Sequence, residues 1–185
     1  GLHISNSSIT NFEGLKYLKN LRMLSLNVKQ TSKIDIGQLV RLNQLNGGIP
    51  TQITGLVSLS HLTRVELFGY KPISKSLLEL SVIPNLEALT ISQGNLESLS
   101  GMEKMNKIKE MDLYGLRSLT DISNIQSINS PLESLSLEKC KNIEDFDVLG
   151  NLQGLKHLAL LDCGSIPSID FIKELKHLES FVFDG

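Results

Sequence analysis

Apolar residues recur along this chain at a nearly fixed spacing, which predicts one structural unit repeated many times. Each copy is apolar at its first, fourth and sixth positions, as in LTRVEL, LEALTI, IKEMDL, LESLSL, LKHLAL and LESFVF. The alternation between the fourth and sixth positions predicts a short strand that buries one face. The first positions are Leu62, Leu86, Ile108, Leu132, Leu155 and Leu178, separated by 24, 22, 24, 23 and 23 residues.

A second apolar set follows each strand and predicts a short helix or helical turn. In DFIKELKHL, the stretch at 170–178, Phe171, Ile172, Leu175 and Leu178 share one helical face. SGMEKMNKI and DVLGNLQGL repeat this spacing. A unit of strand, turn and short helix cannot bury its apolar face alone, so neighbouring units are expected to stack and form a parallel sheet on one side.

The repeated frame resembles that of leucine-rich repeat proteins, L-x-x-L-x-L-x-x-N/C-x-L, over most of the chain. ITNFEGLKYLKNLRMLSL and LTDISNIQSINSPLESLSL are similar to the bacterial, internalin-like variety, whereas NQLNGGIPTQITGLVSLSHL resembles the plant-type form. The resemblance implies an α/β leucine-rich repeat solenoid, or horseshoe. Its parallel sheet would line the concave face, with short helices or 3-10 turns on the convex face.

We predict a single array over residues 1–185, with an irregular repeat at about 27–61. Leu21 and Leu62 are 41 residues apart, which leaves room for two repeats, but SKIDIGQLVRL lacks the clean frame. The chain starts within a repeat and stops on a strand at FVFDG. An uncapped end exposes a sheet edge and the core, so we expect a fragment that lacks one or both caps.

Two cysteines occupy the ninth position of consecutive repeats, in LESLSLEKCKNI and LKHLALLDCGSI. The family carries asparagine there, where an inward side chain gives buried backbone groups a hydrogen-bond partner. A thiol does this weakly and also packs as a small apolar group, so we favour a structural role for Cys140 and Cys163. A redox pair or half a metal site is the alternative, because strands about 4.8 Å apart come within disulfide range. The equivalent positions elsewhere hold Ser7, Lys29, Gly94 and Leu116.

Composition narrows the classes of partner. An apolar content of 41% is enough to bury a core, and a net charge of -2 gives no overall attraction to phosphate backbones or anionic lipids. No apolar run is long enough to span a bilayer, and the N-terminus lacks a secretion-signal layout. We therefore expect neither nucleic acid nor membrane as a partner. Two cysteines without a paired framework favour a cytoplasmic location, with an extracellular one left open.

No constellation of residues indicates catalysis. The four histidines have no acid or nucleophile partner at a recognisable spacing, NGGIP lacks the residues of a phosphate loop, and no G-x-S-x-G or H-E-x-x-H motif occurs. We predict no enzyme activity, no cofactor, no metal and no small-molecule substrate. Glu144, Asp145 and Asp147 could bind a cation, although such a run is more often a solvated turn. The triplet at 6–8 is a glycosylation sequon, a pattern common by chance.

The repeat frame predicts which side chains line the concave sheet, because the third, fifth and seventh positions point away from the core. Large apolar groups beside charges are the mixture that protein interfaces use. Single exposed apolar residues are also normal on any surface. The predicted partner-binding residues are Arg64, Glu66, Phe68, Glu110, Asp112, Tyr114, His157 and Leu161.

The sequence therefore favours a non-catalytic scaffold that binds a protein through its concave face. Two alternatives stay open. The array could be the substrate-recognition part of a larger enzyme such as a ligase, or it could be a bacterial toxin-neutralising or host-binding protein.

Overall fold

The computed structural model describes residues 1–5, 9, 11–28, 32–49, 52–127 and 132–185. The sequon and the ninth-position residues Ser7 and Lys29 lie outside these ranges. The strands are β1 (Leu2–Ser5), β2 (Met23–Asn27), β3 (Lys33–Asp35), β4 (Gln44–Gly48), β5 (Gln52–Thr54), β6 (Arg64–Tyr70), β7 (Ala88–Gly94), β8 (Glu110–Tyr114), β9 (Ser134–Glu138), β10 (His157–Leu161) and β11 (Ser180–Asp184).

One parallel sheet runs through the molecule in the order β1-β2-β4-β6-β7-β8-β9-β10-β11. Each strand pairs with the strand of the next coil in the register of the repeat, so that Leu89 lies opposite Met111 and Leu135 opposite Leu158. The fourth and sixth positions thereby form apolar columns inside one continuous core. This arrangement confirms the predicted leucine-rich repeat solenoid.

The helical turns on the other side of the coils are 3-10 helices wherever the structure describes one. In the last of these turns, η6 (Asp170–Glu174), the predicted helix at 170–178 is shortened to five residues. Phe171 and Leu175 are buried, while Ile172 and Leu178 are only partly buried. The turn closes when the backbone N–H of Leu175 donates to the carbonyl of Ile172 at 3.0 Å. The six turns are η1 (Glu13–Tyr17), η2 (Leu56–Ser58), η3 (Met102–Lys104), η4 (Ser123–Ser127), η5 (Asp147–Asn151) and η6 (Asp170–Glu174).

The stretch at 27–61 carries a second, two-stranded parallel sheet, in which β3 pairs with β5. Strand β4 nevertheless lies in the main sheet, paired with β2 on one side and β6 on the other. Leu42 therefore serves as a first position, 21 residues after Leu21 and 20 before Leu62. These two coils are shorter than the later ones, and the sixth position of β4 is Gly47, whose φ is +103°.

Charges alternate along the second position of consecutive coils, at the edge of the sheet where the strands begin. Lys109 Nζ lies 3.1 Å from Glu87 Oε2, and Lys156 Nζ lies 2.8 Å from Glu133 Oε2. The hydrogen bond and charge of Lys156 lower the pKa of Glu133 below its ordinary value. Opposite charges on neighbouring strands favour this register over a slipped one. The column reads Glu87, Lys109, Glu133, Lys156 and Glu179.

From β6 to β10 the eighth position of each coil is a left-handed residue, which lies within β6 and β7 and directly follows the last residue of β8, β9 and β10. Gly69 and Gly115 adopt φ values of 65° and 66°, which glycine tolerates without a steric penalty. Gln93, Lys139 and Asp162 adopt φ values of 58°, 54° and 50° at the same place. The turn geometry is thus conserved from coil to coil even where glycine is absent.

Candidate protein-binding face

The third, fifth and seventh positions of the strands form three columns on the face of the main sheet opposite the core. The strand register places every one of the eight predicted binding residues in these columns. From β6 to β11 the third-position column is Arg64, Ala88, Glu110, Ser134, His157 and Ser180; the fifth is Glu66, Thr90, Asp112, Ser136, Ala159 and Val182; the seventh is Phe68, Ser92, Tyr114, Glu138, Leu161 and Asp184.

Large and small side chains alternate from strand to strand across this face. Strands β6 and β8 carry the bulky and charged groups, whereas β7 between them presents Ala88, Thr90 and Ser92. Because neighbouring strands are about 4.8 Å apart, the backbones of β6 and β8 lie roughly 9.6 Å apart. They flank a trough over β7, which we call the β7 trough.

An ion pair crosses the β7 trough at its third-position end. Arg64 Nη2 lies 3.0 Å from Glu110 Oε2, and the two side chains are 43% and 53% exposed. Both lie beside Ala88 in the register, and Ala88 is buried although its position faces away from the core. Exposed pairs of this kind contribute at most about 1 kcal/mol to stability.

The fifth-position column is acidic on β6 and β8. Glu66 Oε1 accepts a hydrogen bond from Gln44 Nε2 at 3.4 Å, and Asp112 Oδ2 accepts one from Thr90 Oγ1 at 3.4 Å. The pKa of Asp112 is raised, mainly because its carboxyl group is partly removed from water, and the negative charge of Glu110 raises it further. The hydrogen bond from Thr90 and the positive charge of Arg64 act in the opposite direction and lower this pKa. The middle of the face therefore presents carboxylates and hydroxyls.

The seventh-position column carries the large apolar groups. Phe68 is 59% exposed, although aromatic residues usually bury most of their surface. Tyr114 is held by Lys139, whose Nζ donates to the phenol oxygen at 2.8 Å and lies 4.8 Å from the ring centroid. That hydrogen bond raises the pKa of Lys139. Tyr114 is thus contacted by Lys139 at both its hydroxyl and its ring, and Phe68 faces it across Ser92.

The other two predicted residues lie further along the array. His157 and Leu161 are on β10, separated from β8 by β9, with Ser134 and Glu138 as their neighbours on β9. The structure thus gathers Arg64, Glu66, Phe68, Glu110, Asp112 and Tyr114 around the β7 trough and leaves His157 and Leu161 at a distance of two strands.

Sequence reasoning missed a groove that runs along the edge where the strands end. Its volume is about 1160 Å³, and it is lined by seventh-, eighth- and tenth-position residues of successive coils. Phe68 and Tyr114 form part of its wall. The signal that could have revealed it is the tenth-position column, which carries Lys71, Arg117 and Lys141. We call this feature the strand-end groove.

A smaller apolar cavity of about 330 Å³ lies between the β5–η2 segment and residues 70–82, with Ile53, Leu56 and Leu80 in its lining. Tyr70 also borders it, at the ninth position of its coil, a place that the sequence analysis passed over. The Tyr70 hydroxyl is buried without a hydrogen-bond partner, and this burial, together with the charge of Glu79, raises its pKa.

Both cysteine thiols are buried and free, and both donate to backbone carbonyls. Cys140 Sγ lies 3.6 Å from the oxygen of Leu113 and 3.5 Å from that of Glu138, while Cys163 Sγ lies 3.2 Å from the oxygen of Leu137. The structure thus places the thiols as the structural hypothesis predicted. Burial raises the pKa of Cys140 to about 11 and raises that of Cys163.

We expect both thiols to react slowly with an aromatic disulfide reagent at pH 8 in the native protein and rapidly in denaturant. Burial favours the neutral thiol, so the native pKa of Cys140, about 11 against an ordinary 9.0, lowers its thiolate fraction about a hundredfold. Labelling of the native protein should rise only as the pH approaches that value. Two fast-reacting groups at pH 8 would contradict the buried arrangement.

Within the described ranges no group of three or more histidine, cysteine or acidic side chains is placed to hold a metal ion. No helix in the same part of the chain is long and apolar enough to cross a membrane. In the acidic run at 143–147, Asp145 Oδ1 accepts a hydrogen bond from the backbone N–H of Asp147 at 2.8 Å, the geometry of a local turn.

Comparison with known proteins decides the family. Residues 80–174, a span of 95 in a chain of 185, match the model of the Endo-beta-N-acetylglucosaminidase EndoS LRR domain. The chain belongs to this leucine-rich repeat family. A curated relative from Trypanosoma equiperdum, described as "Putative adenylate cyclase regulatory protein", is 32% identical over an alignment of 172 residues that covers 89% of this chain and 27% of that protein. The array thus spans well under a third of that relative.

Solved structures show the same fold at low sequence identity. The leucine-rich repeat domain of the type III effector XopL is 18% identical with a TM-score of 0.63, covering 92% of this chain and 71% of that one. A leucine-rich repeat protein of Leptospira interrogans is 20% identical with a TM-score of 0.56, covering 98% and 53%. The functional domain of InlJ from Listeria monocytogenes, which includes a cysteine ladder, is 15% identical with a TM-score of 0.54, covering 95% and 41%. The predicted likeness to internalin-like repeat proteins is confirmed.

Proposed function

We propose that this array is a non-catalytic scaffold that binds a protein partner through the concave face of its main sheet. Leucine-rich repeat arrays are common protein-interaction scaffolds and are in general not enzymes, because stacked coils create an extended surface instead of an enclosed pocket. The observation that carries the proposal is the β7 trough, with two aromatic anchors beside charged groups on its flanking strands.

The composition of the trough favours a protein over a nucleic acid. Glu66, Glu110 and Asp112 present carboxylates along its walls, and these would repel a phosphate backbone. Phe68 and Tyr114 supply the kind of aromatic surface that dominates binding energy in protein interfaces. A partner segment that inserts apolar side chains between these two rings would bury both.

We expect the double substitution Phe68→Ala and Tyr114→Ala to weaken binding of the partner at least about tenfold, since it removes both anchors. The partner is first identified by placing a photo-crosslinking residue at Ser92, on the floor of the trough, and the affinity of that protein is then measured by calorimetry. The matched control is Tyr17→Ala with Val57→Ala, because these residues are 75% and 67% exposed outside the concave face. Equal losses in both double variants, or unchanged affinity in the first, would contradict the concave site.

A second candidate function is that the array recognises substrates on behalf of a larger protein. The matching family model is named for a domain of an endoglycosidase, and the chain covers only 27% of its curated relative, whose description is that of a regulator. The two candidates can be distinguished by immunoblotting extracts of the native host with an antibody raised against the array, which gives the mass of the whole protein. A product near 20.5 kDa would contradict the second. The partner crosslinked at Ser92 then distinguishes the biological roles, according to whether it is a toxin, a host protein or an enzyme substrate.

A further inference from the structure

Positively charged side chains outnumber carboxylates in the lining of the strand-end groove. Its tenth-position column contributes Lys71, Arg117 and Lys141, and Lys139 joins them from the eighth position. One carboxylate, that of Asp162, belongs to the lining. This local excess contrasts with the net charge of -2 for the whole chain.

Two of these cations have no counter-ion among the residues that the structure describes. Lys141 Nζ lies 2.7 Å from Asp162 Oδ1, and Lys139 is held by Tyr114 with Glu138 Oε1 3.5 Å away. In contrast, no carboxylate of the described chain lies within ion-pair distance of Lys71 or Arg117. Both side chains are exposed, so their charges are available to a ligand.

The groove has room for an extended chain because glycine lines it at intervals. Gly69 and Gly115 occupy the eighth position between the larger side chains, and a Cβ added to Gly69 would meet no atom within 4 Å. Lys71 and Lys141 belong to the coils of β6 and β9, three strand spacings or roughly 14 Å apart. An extended peptide of about six residues covers that span.

We propose that the strand-end groove binds an acidic segment of a protein partner, with carboxylates paired to Lys71 and Arg117. This inference rests on the proposed function, because Phe68 and Tyr114 belong both to the concave face and to the groove wall. The acidic segment would lie along the strand ends while an adjoining apolar segment enters the β7 trough.

A discrete acidic segment fits this surface better than a continuous polyanion does. Glu138 and Asp162 lie beside the cations, and Glu110 and Asp112 lie four and two residues before Tyr114 on the same face of β8. A nucleic acid carries a charge at every nucleotide and would meet these carboxylates, whereas a peptide can place its acids only where the cations are. Short acidic peptides are therefore the ligand class that the charge pattern selects.

The test uses fluorescein-labelled hexaglutamate as the probe and fluorescence anisotropy as the readout. We expect saturable binding at low salt, at least about tenfold weaker in the double variant Lys71→Glu and Arg117→Glu. The matched control is Arg41→Glu with Lys104→Glu, which changes the net charge equally at two exposed residues outside the groove. Binding should also weaken as salt is raised from about 50 to 300 mM, because exposed charges are screened.

Three results would overturn the inference: no binding of hexaglutamate, equal loss in the two double variants, or tighter binding of a single-stranded oligonucleotide at the same two residues. Circular dichroism of each variant confirms that it is folded before the affinities are compared. Failure here remains distinct from failure of the proposed function. A partner whose affinity falls in the Phe68 and Tyr114 variant but not in the Lys71 and Arg117 variant would refute the acidic-segment groove alone.

Discussion

Replacing Gly47 with alanine should destabilise the protein by about 3 kcal/mol or more, because the coil of β4 packs its backbone against β2 at this residue. A Cβ at Gly47 would lie 1.9 Å from the carbonyl oxygen of Leu26 and 2.9 Å from the carbonyl carbon. The φ of +103° adds strain for any residue with a side chain. Leucine, the residue at this position in β6, β8, β9 and β10, should be worse still. Urea denaturation followed by circular dichroism measures the loss.

The adjacent glycine provides the control for this prediction. A Cβ added to Gly48 would meet its nearest atom, the carbonyl oxygen of Phe68, at 3.5 Å, which is ordinary van der Waals contact. We therefore expect Gly48→Ala to change the free energy of unfolding by no more than about 0.5 kcal/mol. Similar stabilities for the two variants would mean that β2 and β4 do not approach as closely as the structure shows.

Neighbouring leucines on β10 should differ in the stability that is lost when each is replaced by alanine. Leu160, at the sixth position, is fully buried, so Leu160→Ala should cost about 3 kcal/mol through lost burial and the cavity left behind. Leu161, at the seventh position, is only partly buried on the concave face, and Leu161→Ala should cost less than about 1 kcal/mol. The same urea denaturation experiment compares them.

The variant that loses more stability should be the one that keeps its affinity for the partner. Leu160→Ala should leave affinity unchanged under conditions in which it is folded, whereas any loss in Leu161→Ala would extend the binding surface beyond the β7 trough to β10. Equal destabilisation of both variants would contradict the assignment of the sixth position to the core and the seventh to the surface.

Some features of the concave face could be read from the sequence and others could not. The repeat frame alone placed Arg64 and Glu110 in one column, but their ion pair depends on the small size of Ala88 between them and on the distance across β7. The strand-end groove was missed because the repeat frame leaves the seventh, eighth and tenth positions unspecified. The cations at the tenth position are one or two repeats apart in the sequence, and they come to lie along one edge of the sheet only when the coils stack.

The second sheet was beyond sequence reasoning for a different reason. Strands β3 and β5 are three residues each, too short to show an alternating pattern, and they pair between the adjacent coils of β2 and β4. Gly47 likewise hid the frame of β4, because a glycine replaces the apolar residue expected at the sixth position. Local patterns fail where a close backbone approach, instead of side-chain burial, holds the coil in place.

The sequence by itself determined the repeat length, the inward columns of leucine and the outward columns of the concave face. It could do so because apolar side chains that recur at a fixed period must be buried by the next coil. The tertiary structure alone decided which outward side chains meet, where the β7 trough and the strand-end groove lie, and how the second sheet pairs. Those features depend on distances between residues some 20 or more positions apart, which the stacking of coils sets and no single repeat encodes.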